Sequence, residues 1–230
     1  AGKESIMKKV IGFGDFMLRL NPHGYLRFLQ ANEFEVNYTG AEANVCVSLA
    51  LMGVNAALVT KVPENDIARA GIAEMRKFGV DVSHVAWGGP RIGVFYAEKG
   101  ASQRPSKIVY DRAGSSFATC SPDDFDWDVI MKGASNFHMT GITPALSKTM
   151  PEVCLKALEA AKAHGLTVSC DLNYRKNLWT TQEAKECMTR FMPYIDLLIA
   201  NEEDADKVLG IKAKNSDVTK GQLDTEGYVD

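Results

Sequence analysis

The 230-residue chain carries a formal net charge of −3, with 46% hydrophobic and 24% charged residues, an ordinary composition for one sizeable folded core. That charge gives no bulk field toward nucleic acid or an anionic membrane surface, and no apolar run is long enough to span a bilayer, so neither partner is expected. The five cysteines, at 46, 120, 154, 170 and 187, are odd in number and form no C-x-x-C pair, which argues against a disulfide or zinc framework.

Residues 1 to 6 precede Met7 and read as an expression leftover. Lys8 and Lys9 lead directly into a short strand, Lys9 to Gly12, with no apolar signal-peptide segment behind it. The expected location is therefore cytoplasmic. Phe16 to Tyr38 shows strand-like alternation without a helix. Gly40 then turns the chain into a helix of small and apolar residues that stops at Gly53. A glycine there permits close approach to the backbone. Ala41 and its neighbours at the helix start offer N–H groups to a polar or anionic ligand. Asn44, in the first turn, can both donate and accept, which suits a polyhydroxy ligand. A plain turn before a buried helix is the competing reading.

Ala56 to Val62 is a second strand. Asp66 to Phe78 is a helix, with Ile67, Gly71, Met75 and Phe78 at helix spacing, Asn65 or Asp66 as cap and Gly79 as stop. Arg91 to Arg112 again alternates without a helix, as in Ile108-Val-Tyr110-Asp-Arg112. Ser135 to Met139 is a strand. Ser147 to His164 is a helix with Pro151 in its first turn and Gly165 as stop. Leu166 to Cys170 is a buried strand. Thr180-Thr-Gln-Glu183 is a capping box that opens a helix toward Met192. Ile195 to Ala200 is a strand, and Glu202 to Leu209 a helix ended by Gly210. This alternation predicts an α/β domain over residues 7–230, a mostly parallel central sheet flanked by helices. The inserts at 16–38 and 91–112 are expected to form a small antiparallel flap, or lid, over its ligand end.

Two segments carry polar groups just past strand ends, where open α/β sheets bind ligands: Asp171-Leu-Asn173-Tyr-Arg175 and Asn201-Glu202-Glu203-Asp204. Tyr110 and Arg112 lie two apart on one flap strand and share a face. Guanidinium grips carboxylate bidentately, and Arg175 adds a second cation at the sheet end. Two arginines exceed what a neutral sugar needs and point to a sugar acid. A salt bridge from Arg112 to Asp111 or Glu98 is the competing reading. Phe95 suits an aromatic wall. Asp15, after the first strand, can accept from sugar hydroxyls or cap its turn. The four scattered histidines, at 23, 84, 138 and 164, read as structural.

In order, the chain carries Gly12-Phe-Gly14-Asp15 with Leu18-Arg19-Leu20; Gly40-Ala-Glu-Ala-Asn44; Gly53; Lys61-Val-Pro-Glu-Asn-Asp66; and Phe78-Gly79-Val80-Asp81. Gly141-Ile-Thr-Pro144, Asp171-Leu-Asn173-Tyr-Arg175 with Leu178-Trp179, and Asn201-Glu-Glu-Asp204 follow. This series resembles the ribokinase-like, PfkB-type carbohydrate kinases, and most closely the 2-keto-3-deoxygluconate kinases. The resemblance implies transfer of a phosphoryl group from ATP to a hydroxyl of a small sugar acid, with Mg2+ and a possible monovalent cation, and a homo-oligomer formed through the flap. It implies that Asn173 and Asn201, with Glu202 and Asp204 nearby, face the phosphates and the magnesium water shell, with no direct protein ligand to the metal.

Departures are Thr39 for the first of two glycines, Pro63 for a glycine, and Asp204 for a glutamate. The family's closing Gly-x-Gly-Asp turn supplies a phosphate cradle and a general base. Here Asp224-Thr225-Glu226-Gly227-Tyr228-Val229-Asp230 mimics its outer residues, but Tyr228 and Val229 are too large. The chain therefore reads as incomplete at its C-terminus, with the base expected beyond residue 230, and residues 1 to 230 alone are not expected to transfer phosphate. The alternatives are a fructokinase or another ribokinase-like sugar or nucleoside kinase, and a non-catalytic sugar-acid-binding module. A dinucleotide-binding oxidoreductase is suggested by Gly12-Phe-Gly14 only, since Met17 holds the third glycine position.

Overall fold

The computed structural model describes residues 9–212. Its strands, in chain order, are β1 (Lys9–Phe13), β2 (Met17–Pro22), β3 (Phe34–Thr39), β4 (Ala56–Val59), β5 (Lys61–Val62) and β6 (Ala86–Trp87). They continue with β7 (Gly93–Glu98), β8 (Lys107–Asp111), β9 (Ala134–Thr140), β10 (Thr167–Asp171) and β11 (Leu197–Ile199). Five make a parallel central sheet in the order β11-β10-β9-β1-β4. The helices are α1 (Ala41–Leu51), α2 (Asp66–Lys77), α3 (Trp127–Met131), α4 (Met150–Ala163), α5 (Thr181–Phe191) and α6 (Glu202–Asp204).

Strand side chains alternate between faces, and β4 feeds a core on each. Ile11, Phe13, Val59, Phe137, Met139 and Val168 pack with the buried stripe of α4, Val153, Cys154, Ala157, Leu158 and Ala161, and with Met188 and Phe191 of α5. Ala56 and Leu58 pack on the other face with Ala43 and Cys46 of α1 and Ala68, Ile72 and Met75 of α2. Phe13 anchors the first core. The rings of Phe117, Phe125, Trp127 and Phe137 surround it at 5.0–6.4 Å, three of them edge-on, the arrangement that the ring quadrupole favours.

The predicted helix signals act locally. Asn65 accepts from the Ala68 N–H at 3.0 Å, a cap worth about 1 kcal/mol, and Gly79 leaves α2 at φ +82. Thr180 and Glu183 form the reciprocal capping box of α5. Pro151 sits in the first turn of α4, which begins at Met150, after a 3-10 turn over Thr143–Leu146. The last expected helix is a three-residue α turn followed by a π turn, Ala205–Leu209, ended by Gly210 at φ +73. The expected strand Ala56 to Val62 is two. β4 belongs to the central sheet, while β5 leaves it to pair with β6, because Thr60 and Val62 carbonyls accept from Ala86 and Gly88. α3, capped by Asp126, was not expected.

The two inserts form a separate four-stranded sheet, β3-β2-β7-β8, at the end of the central sheet where β1 and α1 meet. Its outer pairs are antiparallel. Its central pair, β2 and β7, runs parallel, because both inserts leave by their first strand in the same direction. Among the described residues no helix is long and apolar enough to cross a membrane.

Candidate active site

The site begins where β1 ends. The Gly14 N–H donates to the Val59 carbonyl at 3.2 Å, which holds the turn on β4 and delivers Asp15 into the interior, 4% exposed. Gly40 lies against that turn: a β-carbon on it would stand 2.0 Å from the Asp15 carbonyl oxygen. Its φ of −175 is ordinary extended backbone, so space alone requires the glycine.

Arg112 follows β8 and is 8% exposed. Its Nη1 is 3.6 Å from Asp15 Oδ2, and its guanidinium lies 4.7 Å from the centre of the Tyr110 ring. The partners that composition alone offered are taken: Asp111 pairs with Arg91 at 2.6 Å, and Glu98 with Arg104. Phe95 stands opposite Tyr110 in the β7–β8 register with ring centres 5.5 Å apart, forming the aromatic wall. Burial pushes the Asp15 carboxyl up to about 6, against the pull of Arg112. Within the described residues neither Asp15 oxygen nor Arg112 Nε has a hydrogen-bond partner. Buried polar atoms in that state are costly, and a ligand that supplies donors and acceptors recovers the cost.

A cavity of about 160 Å³ is lined by Asp15, Gly40, Ala41, Asn44, Phe95, Tyr110, Arg112, Asn173 and Arg175. All eight residues predicted for the sugar are therefore at one place, with Asn173 at its mouth. Thr39 Oγ1 donates to Asn44 Oδ1 at 2.8 Å, which orients the amide. Glu42 also lines this cavity and was missed. It is 2% exposed, accepts from the Thr140 N–H at 2.9 Å and from Thr143 Oγ1 at 3.3 Å, and burial pushes it up to about 7. The available signal was an acid inside an otherwise small, apolar helix start.

The small cavity opens into a cleft of about 1020 Å³ past the ends of β10 and β11, sharing Tyr110, Arg112, Asn173 and Arg175 with it. Asn173 bends the chain there at φ +39, a left-handed conformation that asparagine tolerates, and its N–H donates to Asp171 Oδ1 at 3.1 Å. Asn201 caps α6 by accepting from the Asp204 N–H at 2.8 Å. The capped turn brings Glu203 and Asp204 to the cleft. Glu202, expected nearby, is outside its lining, and Glu203 is within it. Burial raises the Asp204 carboxyl. Lys176 and Lys207, also missed, line the same cleft. Among the described residues no three His, Cys, Asp or Glu side chains gather as a metal site. The segment Asp224 to Asp230 lies outside the described residues.

A family model, the pfkB family carbohydrate kinases, matches residues 7–226. The chain belongs to this family. Among pfkB relatives it is 36% identical to 2-dehydro-3-deoxygalactonokinase of Haloferax volcanii over 202 residues, 87% of this chain and 63% of that protein. It is 30% identical to 2-dehydro-3-deoxygluconokinase of Thermoproteus tenax, covering 92% of this chain and 65% of that one. The crystal structure of 2-dehydro-3-deoxygluconokinase from Thermotoga maritima superposes with a TM-score of 0.91 at 50% identity, over 96% of this chain and 65% of that chain. The chain thus spans slightly less than two thirds of the length of these pfkB kinases. The superposition on the Thermotoga maritima structure, over 96% of this chain, takes in both the central sheet and the flap described above.

Proposed function

We propose that the chain serves an ATP-dependent kinase acting on a small sugar acid, 2-dehydro-3-deoxygluconate (2-keto-3-deoxygluconate) or a close epimer. The observation that carries this reading is the orphaned buried pair Asp15 and Arg112, which meets Arg175 in a cavity of sugar size. Arg112 and Arg175 take the substrate carboxylate as bidentate acceptor. Asp15 and Asn44 take hydroxyls, and Phe95 and Tyr110 cover the apolar edge. The nucleotide occupies the larger cleft, with its phosphates toward Asn173, Arg175 and Lys176. A magnesium ion bound with ATP keeps most of its waters, which suits the scattered Asp171, Glu203 and Asp204 carboxylates. It supplies charge neutralisation at the phosphates. The residues present hold and orient the sugar hydroxyl toward that cleft, and such positioning is a large part of phosphoryl transfer. The relatives' names support the sugar-acid assignment.

A coupled assay on the intact protein should give kcat/KM for 2-dehydro-3-deoxygluconate at least about 100-fold above that for fructose, the discrimination expected when two charge-assisted contacts are lost. Equal values indicate a neutral-sugar kinase. Binding without turnover in the intact protein indicates a binding module.

The same reading includes association through the flap. β8 is exposed along its whole length, with Ile108, Val109 and Tyr110 each part open to solvent, and Val36 of β3 is also exposed. An apolar edge strand of this kind invites pairing with another copy. Sedimentation should show a dimer that Val109→Lys converts to monomer. A monomeric wild type refutes this part alone.

A further inference from the structure

Glu42 joins three pieces of chain that share no local sequence. It belongs to the first turn of α1. Its Oε1 accepts from the Thr140 N–H at the end of β9 and from the Thr143 hydroxyl just beyond. Its carboxyl rests on Gly14, where a β-carbon would stand 1.8 Å from Oε2, so the turn carrying Asp15 is shaped around it. It also lines the cavity of Arg112 and Arg175.

We propose that Glu42 is a positioning residue that tunes how tightly this pocket holds an anionic sugar. Its carboxyl clasps the start of α1 to the chain leaving β9 and sets the charge of the pocket that the two arginines line. The inference rests on the sugar-acid reading above.

The surroundings leave few other titrations near neutrality. The turn after β1 presents Asp15, pushed up to about 6 and already paired with Arg112. α1 presents Cys46, α4 Cys154 and β10 Cys170, all thiols raised by burial and neutral at physiological pH. β9 presents His138, lowered by burial and hydrogen-bonded to Ser169. β4, the remaining strand against α1, carries no titratable side chain. Burial pushes Glu42 up to about 7. Below that value it is neutral and does not oppose a substrate carboxylate. Above it, a second negative charge stands in the pocket. By linkage, affinity for the anion falls as pH rises through 7.

Titration calorimetry on the intact protein, with 2-dehydro-3-deoxygluconate and its uncharged 1-alcohol analogue, tests this between pH 6 and 8.5. Wild-type affinity for the acid should fall about five- to tenfold, up to one pK unit of coupling, while the alcohol stays flat. Glu42→Gln keeps the shape and an acceptor for Thr140 but cannot ionise. It should bind the acid at pH 8 more tightly than wild type does at that pH, and it should lack the fall centred near 7, keeping only any change near 6 that Asp15 contributes. Thr143→Val removes a donor to the ionised form and should move the midpoint above that of wild type. A wild-type profile with no fall, a Glu42→Gln profile like wild type, or an unmoved midpoint in Thr143→Val overturns the proposal while sugar-acid binding stands. A wild type that binds no sugar acid at any pH overturns the proposed function, and this inference with it.

Discussion

Arg112→Ala should weaken binding of the sugar acid by about 1.5–3 kcal/mol, roughly ten- to 150-fold, while binding of the matching uncharged sugar changes far less. The size follows from burial. Arg112 is nearly enclosed, stacked on Tyr110 and 3.6 Å from Asp15, so its bond to a substrate carboxylate forms away from screening water. The substitution also strips Asp15 of its cation. Asp15 already titrates at about 6 because burial outweighs the attraction of Arg112. Without Arg112 its folded value rises further and the carboxyl is neutral over more of the pH range. A neutral carboxyl still hydrogen-bonds to hydroxyls, which is why the uncharged sugar is spared.

The stability consequence has a definite sign. A carboxyl whose folded pKa lies above its unfolded value makes the fold lose stability as pH rises from about 4 to the folded value, and no further above it. In wild type the Asp15 contribution to that loss ends near 6. In Arg112→Ala it should continue to higher pH. Calorimetry with both ligands and urea unfolding at pH 5, 6, 7 and 8 read the two effects separately. Equal losses for the charged and uncharged sugars would sink the carboxylate role of Arg112.

Much of this fold was legible in the sequence because its determinants are local. The capping box of α5 needs only Thr180 and Glu183, three apart. The stops at Gly79, Gly165 and Gly210 each require a positive φ, which glycine supplies cheaply. The apolar stretches of β1, β9 and β10 declare themselves because helices cover the central sheet on both faces. The gathering of the cavity residues was legible for another reason. Polar groups placed immediately after strands must gather at one end of a parallel sheet, so Asp15, Asn173 and Arg175 could be expected close together before their neighbours were known.

What escaped depends on distant partners. Glu42 is explained by Thr140 and Thr143, 98 and 101 residues away, and nothing in its own helix discloses them. The ion pair of Arg112 with Asp15 escaped for the same reason, while nearer acids looked equally suitable. Phe117, Phe125 and Trp127 follow no period that marks a strand or a long helix, yet all three converge on Phe13. The division between β4 and β5 is set by pairing with Ala86 and Trp87, not by any change in the apolar run Ala56 to Val62. Glu203 as a cleft residue escaped because adjacent acids on a short turn differ only in the direction the cap imposes.

Gly40→Ala should abolish most sugar binding and destabilise the fold by about 1–3 kcal/mol, the range for adding a methyl group to a filled site. The added carbon would sit 2.0 Å from the Asp15 carbonyl oxygen, a backbone atom with no rotamer to escape into. The β1 turn is tied to β4 through Gly14 and Val59, so the movement must come from the start of α1. That segment carries Ala41, Glu42 and Asn44, so one shift misplaces several pocket groups together. Glu42 would also be drawn from Thr140, leaving a buried N–H without its acceptor.

Gly53→Ala is the informative contrast. Gly53 has φ +81 and nothing within 4 Å of an added β-carbon, so its cost is conformational, on the order of 1 kcal/mol, and is spent at the far end of α1. The two variants can therefore lose similar stability while only Gly40→Ala loses the sugar. Urea midpoints compared with dissociation constants for the sugar acid separate these cases. A Gly40→Ala protein that binds the sugar acid as wild type does would mean that the Asp15 turn and the start of α1 move independently, and that the close approach of Gly40 serves packing alone.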